Sequence, residues 1–165
     1  MKKKTWLALA LAGAAALAAA PVAAADGRIE FDGGIGSQPF ASVGGVPAPN
    51  DVRGIAPGGR PWEIGKLRAS IRPDGSIRVK GEGLILGGGN AVGLPAIPRQ
   101  VVATLFCGAT EFTSAPVSLD AKGNFEITGS LSSVPPSPCA TPTLLIRNYA
   151  NGAPGAWFAA GIPDN

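Results

Sequence analysis

Glycine and proline interrupt this chain so often that a helix has little room to form. Beyond residue 25, no stretch without Gly or Pro exceeds nine residues, and the two longest are 99–107 and 143–151. A typical globular helix has about 11 or 12 residues, and an internal Gly or Pro costs about 1 or 3 kcal/mol. The spacing therefore predicts an all-β protein.

Residues 1–25 have the form of a secretory signal peptide. Lys2, Lys3 and Lys4 form a positive start, an apolar run follows, and Ala23-Ala24-Ala25 offers an Ala-x-Ala cleavage site. The apolar run, residues 5–20, is shorter than the roughly 20 residues that a membrane-spanning helix needs. We therefore expect cleavage after Ala25 and a secreted or periplasmic protein without stable membrane insertion.

The net charge of the chain comes from this leader. The 14 Lys and Arg residues include Lys2, Lys3 and Lys4, and the 11 that remain equal the 11 Asp and Glu residues. The exported chain therefore has a formal charge of zero, which removes the global electrostatic argument for binding nucleic acid or anionic membranes. We expect no nucleic-acid partner.

Composition divides the remaining chain into two parts. Residues 33–60 contain 12 Gly and Pro residues, whereas apolar residues recur regularly after them. Residues 26–61 are predicted to be an irregular Gly/Pro-rich segment, in which 28–32 and 40–46 are weak strand candidates. Residues 62–165 have the length and apolar content of one small domain with a single core.

The clearest local pattern is a β-hairpin around Pro73-Asp74-Gly75. Apolar and polar residues alternate on both sides of this turn sequence. A three-residue loop with Gly75 in the left-handed conformation pairs Ala69 with Val79 and places all the apolar side chains on one face. A slip of one residue would turn that face toward water, so the alternation predicts the register.

A second hairpin is predicted around Ala121-Lys122-Gly123. The same loop geometry pairs Leu119 with Phe125 and Val117 with Ile127, and again gathers the apolar side chains on one face. Other short apolar runs lack clean alternation, which is typical of strands buried on both sides. These further strand candidates are residues 84–86, 99–107, 143–149 and 156–161.

About seven or eight short strands with frequent turns predict a single-domain β-sandwich of Greek-key type, with an open β-barrel as the alternative. The only cysteines are Cys107 and Cys139, and export to an oxidising compartment predicts that they form one disulfide. Such a bond stabilises a fold by about 3 to 4 kcal/mol in the chain-entropy model.

The chain contains no histidine, and this excludes several kinds of active site. Ser-His-Asp and Cys-His nucleophilic centres and His-ligated metal sites cannot form. Oxidation of both cysteines would also remove a thiolate nucleophile. We therefore expect no enzymatic activity, no cofactor and no metal.

A pair of carboxylates, as in many glycosidases, is the remaining catalytic possibility. No motif marks any two of the available side chains. The alternative function is therefore a carboxylate-dependent hydrolase that acts on envelope glycans. The candidate carboxylates are Glu63, Asp74, Glu82, Glu111, Asp120 and Glu126.

Two groups of residues are candidates for ligand binding. In the predicted register Arg68 lies opposite Lys80, with Arg72 and Arg78 on the same side, and like charges in opposed positions are mildly unfavourable. This strip is interpreted as a site for an anionic envelope polymer or glycan. The alternative interpretation is a solvated face that protects the sheet against aggregation.

The second group is aromatic. Trp62 and Trp157, together with Tyr149 and Phe158, are candidates for a platform on which a sugar or peptide stacks. Because Trp157 and Phe158 are adjacent, a strand would point them to opposite faces. The alternative interpretation is that these rings pack in the core.

The body of the chain resembles a loose group of small exported bacterial β-proteins. The residues that carry the resemblance are Gly59-Arg60-Pro61-Trp62, Gly83-Leu84-Ile85-Leu86, Cys107, Pro138-Cys139-Ala140-Thr141-Pro142 and Gly155-Ala156-Trp157-Phe158-Ala159. They lie within residues 55–161 and correspond to turns, the cysteines and the core, so the resemblance implies a fold and carries no functional residue. Taken together, the sequence predicts an exported, non-catalytic binding or structural module of the cell envelope or extracellular space.

Overall fold

The computed structural model describes residues 27–97 and 99–164, and these residues form β-strands and no helix. The predicted all-β class is confirmed. The predicted signal peptide, residues 1–25, lies outside the described residues. The strands are β1 (Ile29–Gly36), β2 (Phe40–Val43), β3 (Val46–Pro49), β4 (Trp62–Glu63), β5 (Lys66–Ile71), β6 (Ser76–Glu82), β7 (Ile85–Leu86), β8 (Gln100–Cys107), β9 (Thr110–Thr113), β10 (Val117–Ser118), β11 (Phe125–Ser130), β12 (Thr143–Ala150) and β13 (Ala153–Pro163).

Nine of these strands form one antiparallel sheet. Its order is β10-β8-β12-β13-β1-β5-β6-β11, and β9 adds to β8. The sheet curls into a half-barrel. This shape corresponds to the open β-barrel, the alternative to the predicted β-sandwich. Two small sheets, β2–β3 and β4–β7, stand apart from it.

The curl brings the two ends of the strand order together. β10 and β11 are the terminal strands of that order, yet they are consecutive in the chain, because only residues 119–124 separate them. The core inside the curve is built from one face of each strand. Its fully buried large side chains include Phe31, Leu67, Ile71, Val79, Leu84, Val101, Leu105, Leu144 and Ile146.

The hairpin around Pro73-Asp74-Gly75 is confirmed in its predicted register. Ala69 lies opposite Val79, and Arg68 lies opposite Lys80. Gly75 has a φ of 84°, in the left-handed region that glycine adopts without steric cost. Local alternation and turn chemistry are therefore sufficient to specify this part of the sheet.

The predicted ladder of the second hairpin is wrong, although its turn forms. Gly123 has a φ of 77°, and its N–H donates to the carbonyl of Asp120. Instead of pairing with each other, β11 pairs with β6 and β10 pairs with β8. In the β11–β6 pair, the ring of Phe125 lies against the backbone of Gly81, where a Cβ atom would overlap it. This contact favours a partner that local patterning does not reveal.

The segment 26–61, predicted as irregular, contributes a strand to the middle of the main sheet. β1 lies between β13 and β5, and β2 and β3 form a separate hairpin. Gly36 at the end of β1 packs against the carbonyl group of Trp62 so closely that no Cβ atom fits there. Glycine thus permits the close approach at a position where composition alone indicated irregular structure.

The predicted disulfide is confirmed between Cys107 and Cys139, whose Cα atoms are 5.0 Å apart. It joins the end of β8 to the proline-rich segment before β12. A smaller buried cluster of Phe106, Leu145 and Trp157 lies on the other face of the sheet, where Val52 and Ile55 cover it. The disulfide is compatible with a secreted or periplasmic protein.

Candidate functional site

The predicted cationic strip is one part of an electrically balanced surface. We call this surface the charged face: it consists of Asp32 on β1, Arg68 on β5, Arg78 and Lys80 on β6, and Glu126 on β11. Arg68 Nε lies 3.0 Å from Asp32 Oδ1, and Arg78 Nη2 lies 2.8 Å from Glu126 Oε1. Strands on both sides of the predicted hairpin therefore supply the counter-charges.

The other two cations of the strip also have acidic neighbours. Lys80 Nζ lies 3.3 Å from Glu82 Oε1. Arg72 lies close enough to Asp74 for its charge to help lower the pKa of that carboxyl, although the main cause is the hydrogen bond from Ser76. A shallow hollow of about 280 Å³ on the charged face is lined by three acids and three bases. They are Glu30, Asp32, Asp164, Arg68, Arg78 and Lys80.

Three of the four predicted platform rings are buried. Trp62, Trp157 and Phe158 are 3%, 3% and 4% exposed, and Tyr149 is half-buried. Trp157 and Phe158 point to opposite faces, as the strand geometry predicts. The indole Nε1 of Trp157 donates to the carbonyl of Asn50 at 3.2 Å, on the outer face of the sheet. The two tryptophans therefore do not form one platform.

Trp62 and Phe158 instead form the base of a different site. Their rings stack with centroids 4.0 Å apart and planes inclined by 22°. The guanidinium carbon of Arg99 lies 5.5 Å from the Trp62 ring centroid and 5.2 Å from that of Phe158. Both distances fall within the range of a cation–π interaction. The arginine comes from the residue just before β8, and the rings come from β4 and β13.

Hydrogen bonds fix the orientation of this arginine. Arg99 Nη1 donates to Asn148 Oδ1 at 2.7 Å, and Nε donates to the carbonyl of Ala96 at 3.3 Å. Asn148 is on β12, next to β8 in the sheet. The Nη2 group makes no hydrogen bond to the described residues. One end of the guanidinium therefore remains available to a ligand.

Arg99 lies where two open cavities meet. The cavities have volumes of about 530 and 510 Å³, and both are lined by Arg99 and Asn148. We call them together the arginine groove. None of the carboxylates that the structure describes lines either cavity. The first is lined by Gly58, Gly59, Arg60, Trp62, Leu86, Ala96, Ala156 and Phe158, and the second by Gln100, Ser118, Leu119, Tyr149 and Ala150.

The arginine groove carries positive charge that no carboxylate of the described residues neutralises. Among residues 27–97 and 99–164, no carboxylate oxygen lies within 4.0 Å of a side-chain nitrogen of Arg60 or Arg99. Burial lowers the pKa of the Arg99 guanidinium, because removal from water disfavours the charged form. Arginine nevertheless remains protonated at any physiological pH.

Arg147 shows how the same chain treats another buried arginine. Its side chain is 7% exposed, and Nη1 lies 3.2 Å from Glu111 Oε2. Nε and Nη2 donate to the carbonyls of Gly155 and Pro154 at 2.9 and 3.2 Å. Burial lowers the pKa of Arg147, and the charge of Glu111 opposes that shift. This guanidinium has a carboxylate partner, whereas that of Arg99 has none among the described residues.

Five of the six candidate catalytic carboxylates have structural partners. Glu111 and Glu126 pair with arginines, and Glu82 lies 3.4 Å from Lys66 and 3.3 Å from Lys80. Asp74 and Asp120 accept backbone N–H groups in turns, and these hydrogen bonds lower the pKa of each carboxyl. Glu63, the sixth, is exposed on β4.

The described residues contain no cluster of three side chains able to hold a metal ion. The two acids of β1, Glu30 and Asp32, lie next to Arg28 and Arg68. No helix in the described ranges is long and apolar enough to cross a bilayer.

Comparison with known proteins identifies no relative of this chain. The chain matches no family model, no curated protein and no solved structure. The resemblance to small exported bacterial β-proteins therefore stays a prediction, and the geometry of the molecule alone bears on its function.

Sequence reasoning missed Arg60, Arg99 and Asn148. Their neighbours come from β4 and from the consecutive strands β12 and β13, and β4 is far from those two in the chain. Arg60 was noticed only as part of the turn sequence Gly59-Arg60-Pro61-Trp62, whereas Trp62 was a candidate for the aromatic platform. A usable signal was the lack of any acidic residue near Arg99, from Gly83 to Thr110.

Proposed function

We propose that this protein is an exported, non-catalytic binding module, and that its arginine groove binds an anionic group of an envelope polymer or glycan. Cleavage after Ala25 would release the module to the periplasm or the medium. The positive start and apolar run of residues 1–25 and the Cys107–Cys139 disulfide support export.

The absence of a carboxylate around Arg99, within residues 27–97 and 99–164, carries this proposal. Moving a charge out of water is unfavourable unless an opposite charge or hydrogen bonds compensate. Arg99 is partly buried, yet the described residues give it one amide oxygen and one backbone carbonyl as acceptors. A carboxylate or phosphate on a ligand would form charge-assisted hydrogen bonds with the free end of the guanidinium.

The surroundings of Arg99 suit a polar anionic ligand. Arg60 adds a second positive charge to the first cavity, and Asn148, Gln100, Ser118 and Tyr149 add hydrogen-bonding groups. Cavities of this size accept one or two sugar rings or phosphate groups. The lining lacks the pair of carboxylates that glycoside hydrolysis needs, which supports binding without catalysis.

The test is calorimetric titration of the exported protein with inorganic polyphosphate and with oligogalacturonate. Wild type should bind at least one of them. Arg99→Gln should weaken that binding about tenfold or more, because a hydrogen bond to a charged group contributes about 1.5 to 3 kcal/mol. Arg60→Gln, an exposed substitution with little effect on folding, should weaken it less.

Arg68→Gln is the matched control, because it removes an equal charge from the charged face. Unchanged binding in Arg68→Gln together with loss in Arg99→Gln supports the arginine groove. Equal losses in both variants, or binding of neither probe by wild type, would contradict the proposal. Shortened oligogalacturonate products after incubation would contradict its non-catalytic part.

A further inference from the structure

The exposed apolar side chains of this protein are concentrated in two projections. Nine large hydrophobic residues of the described chain are 41% to 70% exposed. Six of them lie in the β2–β3 hairpin and in the loop of residues 87–97. These six are Phe40, Val43, Val46, Val92, Leu94 and Ile97.

Neither projection contains a charged residue. Residues 33–50 and 83–98 have no Asp, Glu, Lys or Arg. Large surface segments that combine exposed apolar side chains with a complete lack of charge are unusual in monomeric soluble proteins and mark interaction surfaces. Arg60 and Arg99, the two cations that line the arginine groove, belong to neither segment, but Arg99 directly follows residues 83–98.

The β2–β3 hairpin holds its apolar side chains out into solvent. Gly44 and Gly45, with φ of 58° and 83°, form a two-residue turn, so Val43 and Val46 flank the tip. This small sheet pairs with no other described strand. Pro47 and Pro49 lack an N–H group, so β3 cannot receive another strand in the ordinary way. Addition of a strand from a protein partner at the β3 edge is therefore disfavoured.

Both projections begin at the floor of the arginine groove. Ser37, just before the hairpin, donates its N–H to the Phe158 carbonyl and accepts from the Trp62 N–H. At the base of the loop, Leu86 pairs with Trp62, and its N–H donates to the carbonyl of Leu94. The backbones of Trp62 and Phe158, whose rings stack under Arg99, thus join the roots of both apolar segments.

We propose that the two apolar projections and the arginine groove dock this protein on an anionic phospholipid surface. This inference rests on the proposed function, because it uses the same groove. The apolar side chains enter the boundary between headgroups and acyl chains, while Arg60 and Arg99 contact lipid phosphates. Attachment of this kind lies on the membrane and involves no spanning segment.

Charge complementarity favours lipid over protein as the occupant. Five of the six apolar residues are Val, Leu or Ile, and Phe40 is the only one of the aromatic and Met residues that are enriched in protein interfaces. They are accompanied by arginines that have no carboxylate partner among the described residues, which match a surface of phosphates. Although the exported chain has no net charge, a local group of cations is sufficient to add electrostatic attraction over short distances.

The test is flotation of the exported protein with vesicles of phosphatidylglycerol and phosphatidylcholine, compared with phosphatidylcholine alone. Wild type should float with the anionic vesicles, and added salt should weaken this. The triple variant Phe40→Ser, Val43→Ser, Val46→Ser should lose about tenfold or more of its vesicle affinity, because less apolar surface is buried. Val134→Ser, an equally exposed residue outside both projections, is the matched control and should float like wild type.

Soluble polyphosphate separates this inference from the proposed function. If docking is correct, the triple variant binds polyphosphate like wild type, whereas Arg99→Gln loses both polyphosphate and vesicles. If wild type binds polyphosphate but floats with no vesicle, or if the triple variant floats unchanged, docking is overturned and the proposed function stands. If wild type binds anionic vesicles but neither polyphosphate nor oligogalacturonate, and Arg99→Gln floats unchanged, the groove has no role and both proposals are overturned. A second variant, Val92→Ser with Leu94→Ser, repeats the comparison on the other projection.

Discussion

Arginine side chains have opposite environments on the charged face and in the arginine groove. On the charged face, Arg68 and Arg78 are 79% and 73% exposed, and each has a carboxylate partner. In the groove, Arg99 is partly buried and has none among the described residues. Exposed ion pairs contribute little to stability, whereas the energetic cost of a partly buried cation depends on whether an opposite charge or hydrogen bonds compensate for lost water. The comparison teaches that the location of an unpaired charge is a better guide to a site than the number of charges.

The largest effect should come from making the groove resemble the charged face. Asn148→Asp places a carboxylate 2.7 Å from Arg99 Nη1 with almost no change in shape. The new carboxylate neutralises the guanidinium and repels an anionic ligand, so polyphosphate binding should fall about tenfold or more. The measurement is the dissociation constant by calorimetry.

Asn148→Ala is the control for that substitution. It removes the hydrogen bond that orients Arg99 but adds no negative charge, so it should weaken binding less than Asn148→Asp does. If Asn148→Asp binds polyphosphate as tightly as wild type, Arg99 is not the anion site. The unfolding temperature of each variant shows whether the fold is intact.

A third arginine measures what loss of a partner costs inside the protein. Glu111→Gln leaves the guanidinium of Arg147 buried without a counter-ion. We expect the free energy of unfolding to fall by about 1 to 2 kcal/mol, less than for a fully buried pair because Glu111 is half exposed. Chemical denaturation measures this. Glu126→Gln on the charged face is the control and should cost less than about 0.5 kcal/mol; equal costs would refute the distinction.

The reverse exchange should give the charged face a weak ability to bind anions. Asp32→Asn with Glu126→Gln removes the partners of Arg68 and Arg78. We expect a weak additional binding of polyphosphate that disappears at high salt, because both arginines remain in water. A second site as tight as the groove would show that partial burial of Arg99 is unimportant.

The smallest effects should distinguish the turn beside the groove from the turn beside the charged face. Asp120 accepts N–H groups from Lys122 and Asn124 and the Asn124 amide, whereas Asp74 accepts one N–H from Ser76. These bonds lower the pKa of both carboxyls in the folded state.

Because the folded pKa is the lower one, the stabilisation is complete above the unfolded pKa of about 3.9 and disappears as pH falls through the folded value. Asp120→Ala should therefore lower the unfolding temperature at pH 7, and the difference from wild type should shrink in acid. Asp74→Ala should show the same trend with smaller amplitude. A difference for Asp120→Ala that grows in acid would contradict the assigned hydrogen bonds.

The sequence predicted most of what depends on neighbours along the chain. Alternation on both sides of Pro73-Asp74-Gly75 was sufficient for the register that puts Arg68 opposite Lys80. It could not reveal that β1 and β11 flank this hairpin and bring acids to its cations. The same lack of long-range information led to the wrong ladder for the second hairpin, where the turn was right and the strand partners were not.

The arginine groove could not be derived in this way. Arg99 precedes a buried strand, Asn148 comes from β12, and Trp62 and Phe158 were visible only as large rings. Their meeting depends on the curl of the sheet, for which no local pattern exists. Burial of both tryptophans on opposite faces likewise follows from strand order. Chemistry that depends on composition, such as the lack of histidine, needed no structure.

The most direct measurement is NMR observation of the arginine Nε–Hε groups during titration with polyphosphate. If the groove is the anion site, the signal of Arg99 shifts and saturates with the ligand, accompanied by a smaller shift of Arg60, while the signals of Arg68 and Arg78 stay in place. If Arg68 and Arg78 shift and Arg99 does not, the charged face binds the anion and the account is wrong.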